Sequence, residues 1–342
     1  MQQIGNIRHF IPKELGKSDI INENYSLYEC FMKKKSKRHS GIIVINRQDK
    51  RAFEEEVAGL DGLVFLYTNQ GIIAKIAQFL FTHSRFPSMV YGWIMHMSWS
   101  RHLIDAFVKK HHIDLDEFQK PGGGWTSFAS FFERKLKNPQ KRIPAFLQKD
   151  PTVAIIPADG RYLVYAHLDS SKTDFLVKGK RFHLQEFLKD EALAKEYEGG
   201  SMVVARLAPA DYHRFHFSFD CTVQKTTLIN GALRSVNPIA TFRDPSIFWE
   251  NKRYHTLLAN TPFGEVLCVD VGATCVGKVF QEKSVGAQAA KGEERGRFAL
   301  GGSTIVLLFK KGQVEFNQDL LDNSRIGKET LCRFGQSMCQ KS

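Results

Sequence analysis

The chain has 342 residues, enough for one large domain or two ordinary ones. Hydrophobic residues make up 43% and charged residues 25%, which excludes a disordered chain and indicates a sizeable core. The formal net charge of +12 points to anionic partners (nucleic acid, acidic protein or lipid) without choosing among them.

Aromatic content is dominated by phenylalanine, 27 Phe against 9 Tyr and 4 Trp, which suits apolar burial better than base recognition. The six cysteines are scattered, with no CxxC pair and no zinc-finger spacing, so free thiols in a reducing compartment are expected and no metal. No cleavable signal peptide and no membrane-spanning run of eighteen apolar residues is expected.

Residues 1–60 read as a polar, basic N-terminal arm containing Lys33, Lys34, Lys35, Lys37 and Arg38, with a short strand at 41–45. Residues 61–150 read as a helical region. Ile72, Ile73, Ile76, Phe79 and Leu80 recur at helical spacing before Pro87. A second helical stretch carries Met89, Val90, Trp93, Ile94, Met97, Leu103, Ile104 and Phe107, edged by Arg85, Arg101, Lys109 and Lys110. Such faces fit helices lying in a membrane surface, and equally amphipathic helices packed on a protein core. Pro121-Gly122-Gly123-Gly124 is a break rather than a phosphate loop, since it lacks the GK[ST] ending. A capped amphipathic helix with a basic last turn is expected over 125–137, with Thr126 or Ser127 as N-cap.

Residues 151–342 read as β-rich. Strands are expected at 152–156, 161–165, 202–207, 265–271 and 303–309, with one helix or two short ones over 184–197. The fold class is therefore α+β: N-terminal amphipathic helices joined to a mostly antiparallel β catalytic domain.

Three segments could carry chemistry. Gly301-Gly302-Ser303-Thr304 precedes a strand, and two glycines leave the Gly302 carbonyl open to attack by the Ser303 hydroxyl, although the same four residues make an ordinary turn. Asp159 lies in an Asp-Gly turn, itself ordinary hairpin chemistry. His213 and His216 follow a strand three residues apart. Strand alternation would put them on opposite faces, and no further ligands complete a metal site.

Five segments together resemble the phosphatidylserine decarboxylases in their bacterial proenzyme form, in the family's order. They are Phe128–Lys137, Pro157-Ala158-Asp159-Gly160, Ala208–His216, Val271–Gly277, and Lys291–Phe298 leading into Gly301–Thr304. The resemblance covers roughly 43–340. Many members carry Leu-Gly-Ser-Thr where this chain has Gly-Gly-Ser-Thr, a variant familiar in the family.

The resemblance implies self-cleavage between Gly302 and Ser303 by a triad of Asp159, His216 and Ser303. The products would be a large β chain (1–302) and a small α chain (303–342), paired as a heterodimer, with a higher oligomer left open. Ser303 would become a pyruvoyl group, the covalent cofactor, which forms a Schiff base with phosphatidylserine and yields phosphatidylethanolamine. By the same analogy His213 moves protons during decarboxylation, and Arg214 meets the substrate's carboxylate or phosphate. The implied setting is an anionic membrane surface at the cytoplasmic face of the cell membrane, held peripherally, with no nucleic acid as partner. The alternative is a non-cleaving lipid-binding relative of the same fold, whose signature would be loss of Asp159, His216 or Ser303; all three are present.

Overall fold

The computed structural model describes residues 42–55, 86–168, 183–234, 246–272, 279–300 and 303–342. By internal contacts the chain divides at residue 40, and every described residue falls in the second unit, Gly41–Ser342. The basic run 33–39, the helix expected around 72–80 and the Gly301-Gly302 pair lie outside the described residues.

The first described pair of strands, β1 (Ile42–Asn46) and β2 (Ala52–Glu55), forms an antiparallel hairpin. Three helices follow: α1 (Phe86–His96), α2 (Leu103–His111) and α3 (Phe128–Phe132). Pro87 stands in the first turn of α1, where its missing N–H has no intrahelical partner to lose. The second helical stretch of the sequence is thus two helices joined by a 3-10 turn at Ser98–His102. Tyr91, Met95, Ile104 and Phe107 pack against Phe128, Phe131 and Phe132. The opposite side leaves Val90, Trp93, Met97, Trp99 and Leu103 exposed, Trp93 at 65%. Buried Ser100 ties the group together, donating to the Met97 carbonyl at 2.7 Å and accepting from the Phe128 N–H at 2.9 Å.

Helix α3 is shorter than the expected 125–137. Ser127 caps it in a reciprocal capping box with Ser130. It stops at Glu133 because the following residues serve tertiary contacts: Arg134 turns inward to the carbonyls of Ala210 and Asp211, and Leu136 bridges to Phe118. After α4 (Ala145–Lys149) the chain becomes mostly antiparallel sheet.

The strands are β3 (Val153–Ile155), β4 (Gly160–Tyr165), β5 (Ser201–Leu207), β6 (Arg214–His216), β7 (Cys221–Ile229), β8 (Arg253–Thr261) and β9 (Gly264–Val271). Then come β10 (Val279–Gln281), β11 (Gln288–Ala289), β12 (Glu294–Phe298), β13 (Ser303–Phe309), β14 (Val314–Phe316), β15 (Glu329–Cys332) and β16 (Ser337–Lys341). Among the described residues the largest sheet has the order β11-β7-β8-β9-β13-β5-β4-β15-β1-β2, and its one parallel pairing is β1 with β15. Two three-stranded sheets, β10-β12-β6 and β14-β16-β3, flank it.

Both faces of the large sheet are covered. Ile305, Leu307 and Phe309 of β13 enter one cluster with Phe215, Phe217, Phe219 and Phe263. Val306 and Leu308 enter another with Phe187 and Tyr197. A strand buried on both faces reads as a continuous apolar run, which is why Ile305–Phe309 shows no alternation. The 184–197 region resolves into two helices, α5 (Leu184–Leu188) and α6 (Glu191–Tyr197), the second capped by Asp190. The fold is α+β.

Candidate active site

Ser303 opens β13 in the middle of the large sheet, between β5 and β9. It pairs with Leu207, is fully buried, and its Oγ has no hydrogen-bond partner among the described residues. A buried hydroxyl without a partner is costly, so such a group is expected where a reaction uses it.

Opposite Ser303, β5 ends and the chain turns through 208–213. Asp211 builds that turn: its Oδ2 accepts from the Ala208 N–H at 2.6 Å and its own N–H donates to the Ala208 carbonyl at 2.9 Å. Arg161 pairs with the Asp211 carboxylate from β4. Burial raises the Asp211 carboxyl above the usual range, opposed by Arg161 and reinforced by the nearby charge of Asp159. Arg161 also pairs with Glu55, which pairs with Arg206, which pairs with Glu329. A ladder of alternating charge thus runs from the turn to the hairpin at the sheet edge.

The two histidines leave this turn in different directions. His213 precedes β6, its Nδ1 lies 3.0 Å from the Asp211 carbonyl, and its ring sits 3.9 Å from the Phe132 ring. His216 ends β6. Its backbone N–H donates to the Pro157 carbonyl at 2.8 Å, which ties it to the Asp159 turn. Its Nδ1 lies 3.0 Å from the Gly292 carbonyl and its Nε2 3.2 Å from the Tyr212 hydroxyl. A carbonyl can only accept, so Nδ1 carries the proton and Nε2 is the basic nitrogen that accepts from Tyr212. Burial pushes the imidazole down to about 4, against the opposing pull of the Gly292 carbonyl and Asp159. His216 is therefore neutral at ordinary pH.

Asp159 stands at a corner, not in a hairpin. Strands β3 and β4 belong to different sheets, and the Asp-Gly step carries the chain from one to the other. Its carboxylate receives Arg142 Nη1 at 2.8 and 2.9 Å and the Phe334 N–H at 2.8 Å. Arg142 is held in turn by Glu117 at 2.5 Å. Phe334 also stacks on His216, with ring centres 3.8 Å apart and planes 18° apart. Asp159 and His216 are thus linked through Phe334 and through Pro157.

Arg214 lies beside this group with Nε 3.0 Å from the Glu133 carbonyl and Nη1 paired with Glu294. Among the described residues no group of three or more His, Cys, Asp or Glu is placed to hold a metal.

The family model for phosphatidylserine decarboxylase matches residues 128–340. The chain belongs to the phosphatidylserine decarboxylase family. It is 46% identical over 294 residues to a phosphatidylserine decarboxylase proenzyme of Chlamydia pneumoniae, covering 86% of this chain and 95% of that protein. The proenzyme of Chlamydia caviae is 42% identical, with 86% and 96% covered, and that of Clostridium tetani 37%, with 86% and 97% covered.

Several residues around the site were not singled out from the sequence. Arg142 and Glu117 lie outside the five quoted segments, and a lone basic residue before a β-rich region carries no signal. Tyr212 and Gly292 lie inside quoted segments, but their contact with His216 depends on strand pairing. Phe334 is one apolar residue in a stretch for which no element was expected; its only hint is Gly335, whose φ of +92° marks a turn.

Proposed function

We propose that this protein decarboxylates phosphatidylserine to phosphatidylethanolamine with a pyruvoyl group made by its own cleavage between Gly302 and Ser303. The observation that carries the reading is Ser303: a fully buried serine hydroxyl without a hydrogen-bond partner among the described residues, at the first position of a central strand. The residues present fit a group of this kind, because a pyruvoyl is covalent and needs no metal or phosphate cradle.

In the proposed cleavage, Ser303 gives its Oγ proton to His216 Nε2, which exchanges its Tyr212 hydrogen bond for one to Oγ. Oγ bonds to the Gly302 carbonyl carbon, the C–N bond breaks, and the Ser303 nitrogen takes the proton, leaving an ester. The freed His216 Nε2 then takes the Ser303 Cα proton, and the Cβ–Oγ bond breaks to release the Gly302 carboxylate together with Oγ. Water replaces ammonia at the dehydroalanine that remains. Asp159, charged and anchored by Arg142, supports the imidazolium that forms on His216.

The pyruvoyl ketone, once present, supplies an electron sink for the pair released as carbon dioxide leaves. His213 supplies proton transfer in that step, from an Nε2 made basic by the carbonyl at its Nδ1. Arg214 keeps Nη2 for the substrate's carboxylate or phosphate, with Nε and Nη1 engaged by the protein.

The exposed apolar side of α1 and α2 would rest on the anionic bilayer that carries the substrate. Arg101, Lys109 and Lys110 are exposed beside it, and each basic residue near such a surface contributes about 1 kcal/mol. Among the described residues no helix is long and apolar enough to cross a membrane, so the proposed attachment is peripheral.

Intact mass tests the reading. Purified protein should give two chains, 1–302 and 303–342, the small one without a free amino terminus. Ser303→Ala should remain one chain of 39.0 kDa and be inactive. A wild-type preparation consisting of one intact chain, or a Ser303→Ala protein that still splits, would overturn it.

A further inference from the structure

We propose that Phe334 is a positioning residue for self-cleavage, holding Asp159 with its backbone N–H and the ring of His216 with its own ring. The inference rests on the triad reading above and adds to it a residue from the far side of the cut.

The geometry points to this role because one residue touches both the acid and the base. The Phe334 N–H reaches Asp159 Oδ1 at 2.8 Å, while its ring lies nearly parallel to His216 at 3.8 Å. Stacking fixes the plane of the imidazole, and the Gly292 carbonyl fixes its rotation within that plane. Together they determine where Nε2 points. The two imidazole nitrogens of His216 meet the Gly292 carbonyl and the Tyr212 hydroxyl rather than Asp159, so the base depends on Phe334 for an orientation that an acid would otherwise impose.

Phe334 cannot shift to serve one partner alone. It is 1% exposed and packs with Ile143, Leu147, Ile155 and Tyr212. Immediately after it the backbone is pinned: the Gly335 N–H donates to the Ile156 carbonyl at 3.1 Å, and the Ile156 N–H to the Gln336 carbonyl at 2.7 Å. A Cβ on Gly335 would come within 2.6 Å of the Arg142 carbonyl, so this loop also abuts the residue that clamps Asp159. The charged and titratable groups acting on His216 are Asp159, Arg142 and Arg214, with Tyr212 on Nε2. The Tyr212 ring also stacks on the imidazole, with centres 5.8 Å apart and planes 26° apart, but the Phe334 ring is much nearer at 3.8 Å.

Phe334→Leu keeps the backbone N–H and an apolar side chain but removes the flat ring and part of its volume. Phe334→Met is read alongside it, so that misfolding of one variant leaves the measurement intact. Self-cleavage is followed by pulse-labelled translation, and His216 is titrated by NMR in uncleavable Ser303→Ala protein with and without the Phe334 change. We expect cleavage slowed about tenfold or more, and the His216 titration moved up from about 4 toward 6.5 as water reaches the ring. Cleavage at the wild-type rate with an unmoved titration would overturn the proposal. Should His216→Ala itself still cleave, the triad reading fails instead, while the titration continues to report whether Phe334 holds the ring.

Discussion

His213 and His216 leave one turn three residues apart and arrive at different walls. Each has Nδ1 against a carbonyl, so each presents Nε2 as its basic nitrogen. Their surroundings differ. His213 rests on Phe132, which packs with Phe128, Phe131, Ile104 and Leu300 under the helices whose outer side is exposed. His216 rests on Phe334, in a buried cluster with Ile143, Leu147 and Tyr212, beside the Asp159 corner. The same side chain is thus offered twice, both times buried, once beneath the helices proposed to meet lipid and once beside the Asp159 corner. This supports dividing the chemistry: the histidine beside Asp159 for the single cleavage event, the one beneath the helices for turnover.

Exchanging the two by mutation should break or sharpen that division most. His216→Ala is expected to stay a single chain and show no turnover. His213→Ala is expected to cleave into two chains and then lose about 100-fold or more in turnover, the usual worth of a placed acid or base. Gel mobility separates the first effect and a lipid assay the second. Loss of cleavage in both variants would mean that the two rings act as one unit.

The two sites were unequally legible in the sequence. Asp159, His213, His216 and Ser303 stand out as candidates because each lies in a segment with recognisable order. The strands at 201–207, 264–271 and 303–309 were legible because apolar runs bounded by Gly, Pro and Asp have few other uses. What surrounds the histidines was not. Phe132 and Phe334 are chosen as walls by long-range pairing, β6 with β12 and β16 with β3, which no local pattern encodes. The Asp159 turn read locally as a hairpin, and only the sheet order reveals a corner between sheets. The helix at 128–132 was overcalled for a related reason: residues 133–137 have helical composition, but Arg134 is drawn inward by the carbonyls of Ala210 and Asp211.

Burial of His216 makes folding depend on pH. The His216 imidazole titrates near 4 when folded and near 6.5 when unfolded, so the unfolded state binds more protons between those values. Stability is then fully present above about 6.5 and falls as pH drops toward 4. His255, also pushed to about 4 by burial and by Arg253, acts in the same direction. Ser303→Ala protein should lose on the order of a few kcal/mol by denaturant unfolding between pH 7 and pH 4. His216→Phe in that background should remove part of the slope. An unchanged slope would mean that His216 is already protonated and paired in the folded state.

The smallest effect concerns Arg214, which lies between the two histidines in sequence. Its Nε and Nη1 hold the end of α3 and Glu294, so most of the side chain is structural. Those contacts keep Phe132, two residues before Arg134, against His213. If Nη2 meets the lipid, Arg214→Lys should cleave normally, because Asp159, His216 and Phe334 are untouched, and should raise the KM for phosphatidylserine several-fold by losing a directed donor. If the residue is structural alone, KM should hold while the thermal midpoint falls by a few degrees. The split between KM and the midpoint decides whether the stretch 213–216 offers the substrate a cation as well as a base, or only two bases on two walls.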